Sequence, residues 1–267
     1  MDDLRTASTL HPDGDGHFRW DVPDGWQQGK GAFGGLVIGA LARAMCACEP
    51  DRERALRSLS AELCAPALTG ATAITAAVLR RGRGTTYLEA RAVQGGEVVA
   101  RASALLGAAR PPSALALPVA PPALPRAAEA AAIAPLGQPP SPRFTGHYEF
   151  RPLGPVPFSG VTTPATAGWL RERGVVTAPR PLDAADVLAL LDAWWPCALV
   201  VEPAPRPMAT VAFTAQLVVD PATLDPTAPF AYRAHLVGAA DGYSVEQRHL
   251  WQHDRLVALN QQTFAAL

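Results

Sequence analysis

The stretch GKGAFGGLVIGALARAMCACE, Gly29 to Glu49, decides how the chain is read. It opens on glycines and continues as an apolar helix. From Leu36 to Cys48 every residue is apolar, Gly or Ala except Arg43. A helix apolar nearly all round is buried rather than laid on a surface. Gly34-Gly35 stand at its start, where free backbone N–H groups and the helix dipole favour negative charge. Pro50 and Asp51 stop it. A buried helix needs something wrapped around it, and the flanking sequence supplies strands.

His17 to Val22 alternates and reads as a first strand, preceded by a polar arm over residues 1–16. After the helix come four strand-like runs, Leu56 to Cys64, Ala71 to Arg80, Thr85 to Val93 and Val98 to Leu106, with no helix between them. Gly82 to Gly84 and Gln94 to Glu97 mark turns. The order is strand, helix, antiparallel meander. Ten of the 27 prolines then fall between Pro111 and Pro142, too many for a strand, and only Arg126 to Ile133 could be helical.

The pattern then returns. Phe144 to Arg151 and Ala167 to Arg173 read as strands. Asp183 is an N-cap for a helix running to about Trp194, stopped by Pro196. Strands follow at Ala209 to Val219, Phe230 to Val237, Tyr243 to Trp251 and Leu256 to Phe264. Gly84 and Gly242, Gly95 and His253, and Ala104 and Gln262 are each 158 residues apart, so the last strands repeat the earlier meander. The expected division is 1–110, a Pro/Ala-rich connection at 111–142, and 143–267. The fold class is α+β, with an antiparallel sheet around a central helix in each half.

Composition excludes several functions. A net charge of −1 argues against a nucleic-acid partner, and 49% hydrophobic residues suffice for real cores. The apolar helix is too short to span a bilayer and the N-terminus is no signal peptide, so a soluble, cytoplasmic protein without a membrane partner is expected. The four cysteines and six histidines show no metal spacing, no cofactor is implied, and three of the cysteines fall in expected core elements. Gly29, Gly31 and Gly34 spell GxGxxG, but the meander that follows argues against a dinucleotide fold. The tract Arg80-Arg81-Gly82-Arg83 is a charged hairpin tip, either exposed or facing an anionic ligand. Asp192, in VLALLDAWWP, is the unusual residue, because a carboxylate on an apolar helix face is costly unless hydrogen-bonded or in a wet cleft.

Five stretches together resemble the type II acyl-CoA thioesterases, in which two hot-dog units are fused. They are Gly31 to Ala44, Thr85 to Leu106, Leu190 to Pro196, Pro207 to Val219 and Arg255 to Phe264. The resemblance implies a double hot-dog forming one continuous pseudo-dimeric sheet, with an acyl-CoA or acyl-carrier thioester as substrate. It implies an Asp, a hydroxyl and a Gln holding a water, matched here by Asp192, Thr210 and Gln262. Gly34 and Gly35 would polarise the thioester oxygen, their lack of side chains permitting close approach. Thr214, on the face of Thr210 by period two, is an alternative hydroxyl, and Gln261 an alternative amide. Trp194 and Trp195 either shape an acyl tunnel or pack the core. The first half has no acidic residue in its helix, and Ala104 stands where Gln262 stands, so one site per chain is expected. The resemblance admits a homo-oligomer. The rival reading is a non-catalytic hot-dog protein that binds acyl-CoA or serves as a scaffold. A hot-dog dehydratase is weaker, for want of a helical His.

Overall fold

The computed structural model describes residues 3–111, 119–134 and 136–267. The first half holds α1 (Leu4–Ala7), β1 (His11–Pro12), β2 (His17–Val22), β3 (Gln27–Gln28), β4 (Gly31–Ala32) and α2 (Gly34–Ala47). The meander β5 (Ala55–Leu63), β6 (Gly70–Arg81), β7 (Thr85–Gln94) and β8 (Glu97–Gly107) completes it. The second half holds β9 (Tyr148–Pro152), β10 (Ala165–Glu172), α3 (Arg173–Thr177), α4 (Ala184–Ala193) and α5 (Ala198–Val201). It ends with β11 (Met208–Leu217), β12 (Phe230–Ala240), β13 (Tyr243–Gln252) and β14 (Arg255–Ala266).

Twelve strands make one sheet in the order β1-β2-β6-β7-β8-β5-β11-β14-β13-β12-β10-β9. Each pairing is antiparallel, and β5 on β11 joins the halves. This is a double hot-dog, with α2 and α4 side by side on the inner face. The GxGxxG glycines belong to no parallel unit: Gly29, at φ +65°, turns the β3–β4 hairpin, and Gly31 lies against Pro66. The 158-residue repeat is visible in the pairing. Leu88 faces Ala104 as Glu246 faces Gln262. β5 and β11 each carry a bulge, between Leu56 and Ser58 and between Thr210 and Ala212.

Two expectations are corrected, and the polar N-terminal arm is docked on the body of the fold. Leu4, Ala7 and Ser8 are buried, Arg43 donates to Ser8 Oγ (2.6 Å) and to the Arg5 carbonyl (2.9 Å), and Asp3 pairs with Arg180 at 2.6 Å. The arm supplies acceptors that those arginines need in a partly buried place. Residues Met1 and Asp2 lie outside the described residues. The strand expected from Phe144 begins only at Tyr148, because Arg143–His147 form a 3-10 turn that stacks Phe144 on Phe33, centroids 4.1 Å apart. Of the cysteines only Cys197 is fully buried, and Cys64 is exposed just past the end of β5.

The Pro-rich connection runs against the second half. Trp251 and Trp169 donate their indole N–H groups to the carbonyls of Val119 and Pro125, and the Ile133 N–H donates to Phe150. Residues 112–118 and 135 of that connection lie outside the described residues. Arg81 of the charged tract closes the C-terminal end of α2, donating to the Cys48 carbonyl and to Glu49. Burial alone would raise the Glu49 pKa, but Thr86, the Asp51 N–H and Arg81 hold it at about 2. Ala184–Val201 is long and apolar enough to cross a membrane, yet it is two helices broken at Trp194 to Cys197 and mostly buried in the fold.

Glu172 closes the docked arm, accepting the Leu4 N–H at 2.7 Å. Burial pushes its pKa up to about 7, with the Leu4 N–H pulling down and Asp186 adding to the rise. The folded chain therefore binds this proton more tightly than the unfolded chain, where the group titrates near 4.5. Its stabilising contribution is complete below about pH 4.5 and lost as pH rises through about 7. In urea titrations, Glu172→Gln is expected to remove that slope, worth at most about 3 kcal/mol. A wild-type slope that survives the substitution would refute the assignment.

Candidate functional site

The site is built where α2 begins and α4 ends. The helices run antiparallel in close contact: a Cβ on Gly35 would lie 2.8 Å from Ala189 Cα, and one on Gly39 3.3 Å from the Ala185 Cβ. That contact sets the α2 N-terminus beside the last turn of α4, which carries Asp192. The N-cap of α2 is Phe33, which offers no side-chain cap; its carbonyl takes the Leu36 N–H, and the Gly34 and Gly35 N–H groups are left to other acceptors. At the other end of the pair, α4 is capped by Asp183, whose side chain takes the Ala185 and Asp186 N–H groups in a capping box.

Asp192 fills the opening. It is 7% exposed, and its Oδ2 lies 2.7 Å from where a Gly34 Cβ would stand. Burial raises its pKa above the usual carboxylate value. Arg248, the Gly35 N–H and the Gln262 amide oppose that rise, and Glu246 adds to it. A carboxylate at the C-terminal end of its own helix meets a negative dipole end, and here the positive end of α2 compensates.

Gln262 is buried on β14 and faces Asp192, and its Nε2 closes no full hydrogen bond to a protein group. Its Oε1 accepts from the Thr210 hydroxyl at 3.4 Å. The structure therefore brings Asp192, Gln262, Thr210 and the Gly34-Gly35 turn together. The two alternatives fall on the other face. Thr214 pairs with Gln261, whereas Thr210 pairs with the buried Phe264. The bulge at Val211 inserts one residue and reverses the parity, so period-two counting from Thr210 to Thr214 fails.

The glycines have a different reason than expected. The space above Gly34 is taken by Asp192 and by Leu63 Cδ1 (2.9 Å), and that above Gly35 by the Phe33 ring and α4. The Gly35 N–H serves the carboxylate, which leaves Gly34 as the first-turn donor for a ligand. Trp194 is a core residue: it is buried, stacked on Tyr232 at 4.8 Å and hydrogen-bonded to Thr166. Trp195 is only partly buried beside it.

Two groups around Asp192 escaped the sequence reading. Glu246 and Arg248 of β13 are fully buried, with Arg248 Nε donating to Glu246 Oε1 at 2.5 Å. The repeat itself carried a signal, because 158 residues earlier stand the inward-facing Leu88 and Ala90. Two clefts lie elsewhere. One of about 800 Å³ includes His17, Cys48 and Arg81, and one of about 340 Å³ includes Thr214, Gln247 and His249. Among the described residues, no cluster of His, Cys, Asp or Glu could hold a metal ion.

No curated protein matches the sequence. Among solved structures, a hot-dog protein of unknown function from Alicyclobacillus acidocaldarius is 27% identical over 99% of this chain and 97% of its own, with a TM-score of 0.88. A candidate thioesterase II from Thermobifida fusca is 24% identical over 99% and 98%, TM-score 0.84. An acyl-CoA thioesterase II from Mycobacterium marinum is 19% identical over 99% and 98%, TM-score 0.78. The last two speak for the fold alone. The acyl-CoA thioesterase N-terminal domain matches residues 22–107 and the C-terminal domain matches residues 119–266. With both domains present in order over most of its length, the chain belongs to the acyl-CoA thioesterase family.

Proposed function

We propose that the chain hydrolyses an acyl-CoA or acyl-carrier thioester in the cytoplasm by direct attack of a water held by Asp192, Thr210 and Gln262. The observation that carries this reading is the buried Asp192 carboxylate held between the first turn of α2 and the Gln262 amide, which faces it without closing a full hydrogen bond. Buried polar groups are normally satisfied, so an amide that leans on a buried carboxylate without a full hydrogen bond leaves room for a polar guest. A carboxylate whose pKa is raised is also a better base near neutral pH.

The reaction follows from those positions. The water oxygen bonds to the thioester carbon while its proton passes to Asp192. The Gly34 N–H receives the developing oxyanion. The tetrahedral intermediate collapses by breaking the C–S bond, and Asp192 returns its proton to the departing thiolate. A carboxylic acid and a free thiol result, and no acyl-enzyme forms. Gln262 and Thr210 orient the water, which is a matter of position more than charge.

Asp192→Asn is expected to lower thiol release from a panel of acyl-CoA substrates by about 100-fold or more with the fold intact. In the wild type, kcat/KM should fall on the acid side, through a midpoint above the usual aspartate value. Near-normal turnover by Asp192→Asn would sink the assignment, and saturable acyl-CoA binding by the wild type without thiol release would replace hydrolysis by binding. Gly34→Ala tests the packing: its methyl would displace the carboxylate, and a fall of roughly 10- to 100-fold in kcat is expected, with circular dichroism unchanged. Full activity in that variant would mean that Asp192 need not stand where it does.

A further inference from the structure

The second half buries a complete ion pair at positions that the first half fills with Leu88 and Ala90. Both Glu246 and Arg248 have no exposed surface. The first half shows that this sheet position is well served by an aliphatic pair. A buried ion pair is often no more stabilising than apolar residues of similar volume. Stability therefore gives no reason for the pair, and its contacts suggest another.

Arg248 Nη1 donates to the carbonyls of Leu191 (2.9 Å) and Asp192 (3.3 Å), the last turn of α4. Its guanidinium also lies 5.3 Å over the ring of Phe264, the residue paired with Thr210. Glu246 holds the arginine through Oε1 and takes the Cys197 N–H on Oε2 at 2.6 Å, tying down the chain just after the helix. One side-chain pair thus fixes the backbone before and after Trp194–Trp195, with Asp192 at its edge. The cation also neutralises the C-terminal carbonyls that would otherwise repel the Asp192 carboxylate.

We propose that Glu246 and Arg248 are positioning residues for Asp192, holding the last turn of α4 and setting the charge state of the carboxylate without touching the substrate. This rests on the reading of Asp192 as the base. The charged and titratable groups around Asp192 are Arg248 and Glu246 on β13, Tyr148 on β9 and Tyr232 on β12, with the Gly35 N–H and Gln262 as polar neighbours. Arg248 favours the ionised carboxylate and is the stronger influence, and Glu246 disfavours it.

The test is the pH profile of kcat/KM for acyl-CoA hydrolysis, with thermal unfolding in parallel. Glu246→Leu with Arg248→Ala copies the first half. This variant should remain folded, lose at least tenfold in kcat and move its acid limb to higher pH, because the stronger cation is gone. Glu246→Gln keeps the shape and removes only the anion, and its acid limb should move to lower pH. Opposite displacements are the signature, since a merely structural role would lower activity without moving the limb in either direction. Wild-type kcat and limb in the folded double variant would overturn the proposal. If the double variant does not fold, an unmoved or upward-moving limb in Glu246→Gln does so instead. Asp192→Asn in the same assay separates the two ideas: if it remains active, the base is misassigned. If it is inactive while the pair variants behave as wild type, only the positioning role fails.

Discussion

The antiparallel contact of α2 and α4 is the constraint on which the rest depends. It exists because Gly35 and Gly39 let the backbone of one helix come against Ala189 and Ala185 of the other. At Gly35 a side chain would meet the Ala189 backbone at 2.8 Å, so there the helices could not stay as close. The contact places the positive end of α2 against the negative end of α4 and puts Asp192 between them. The sheet then has one task, to close around this pair and bring Thr210 and Gln262 to the same end. The register of β11 on β14 does so, with a bulge that turns Thr210 inward.

Much of the fold was legible in the sequence, for a physical reason. Strands with one buried face alternate, and α2 and α4 are apolar enough to identify as core helices. The limits of α4 follow from Asp183 and Pro196, both of which act locally. The segments that were misread depend on distant partners. The N-terminal arm is polar in composition, and only its docking on Arg43, Arg180 and Glu172 gives it structure. Phe144 looks like a strand residue and is instead committed to the Phe33 ring far away in sequence.

The candidate site was legible through resemblance more than through pattern. Asp192 stood out by cost alone, but Thr210 and Gln262 did not. A bulge is invisible to alternation, so Thr210 and Thr214 looked equivalent where they face opposite sides. Glu246 and Arg248 were hidden for the converse reason. In YSVEQRHLW the polar Glu246 and Arg248 point inward, while Gln247 is exposed and Val245 only partly buried. Hydrophobic patterning assigns such a strand backwards. Comparison with the earlier repeat corrects it, because Leu88 and Ala90 show which parity faces the helices.

The two ends of the helix pair are built differently. At the α4 N-terminus, Asp183 consumes the first-turn donors, Arg43 reaches Asp183 at 3.0 Å, and the N-terminal arm lies over Arg43. At the α2 N-terminus the cap position holds Phe33, a residue with no side-chain acceptor, and the Gly35 N–H turns to Asp192 instead. A missing cap costs helix stability, typically ~1 kcal/mol. Asp192 recovers part of that through space from the other half, in a geometry that keeps the carboxylate beside the opening. The same substitution pattern, apolar residues in the first half and Thr210, Glu246, Arg248 and Gln262 in the second, runs through the sheet around it. The asymmetry is therefore a single device: one helix left uncapped, and one carboxylate, with its supporting pair, supplied by its neighbour.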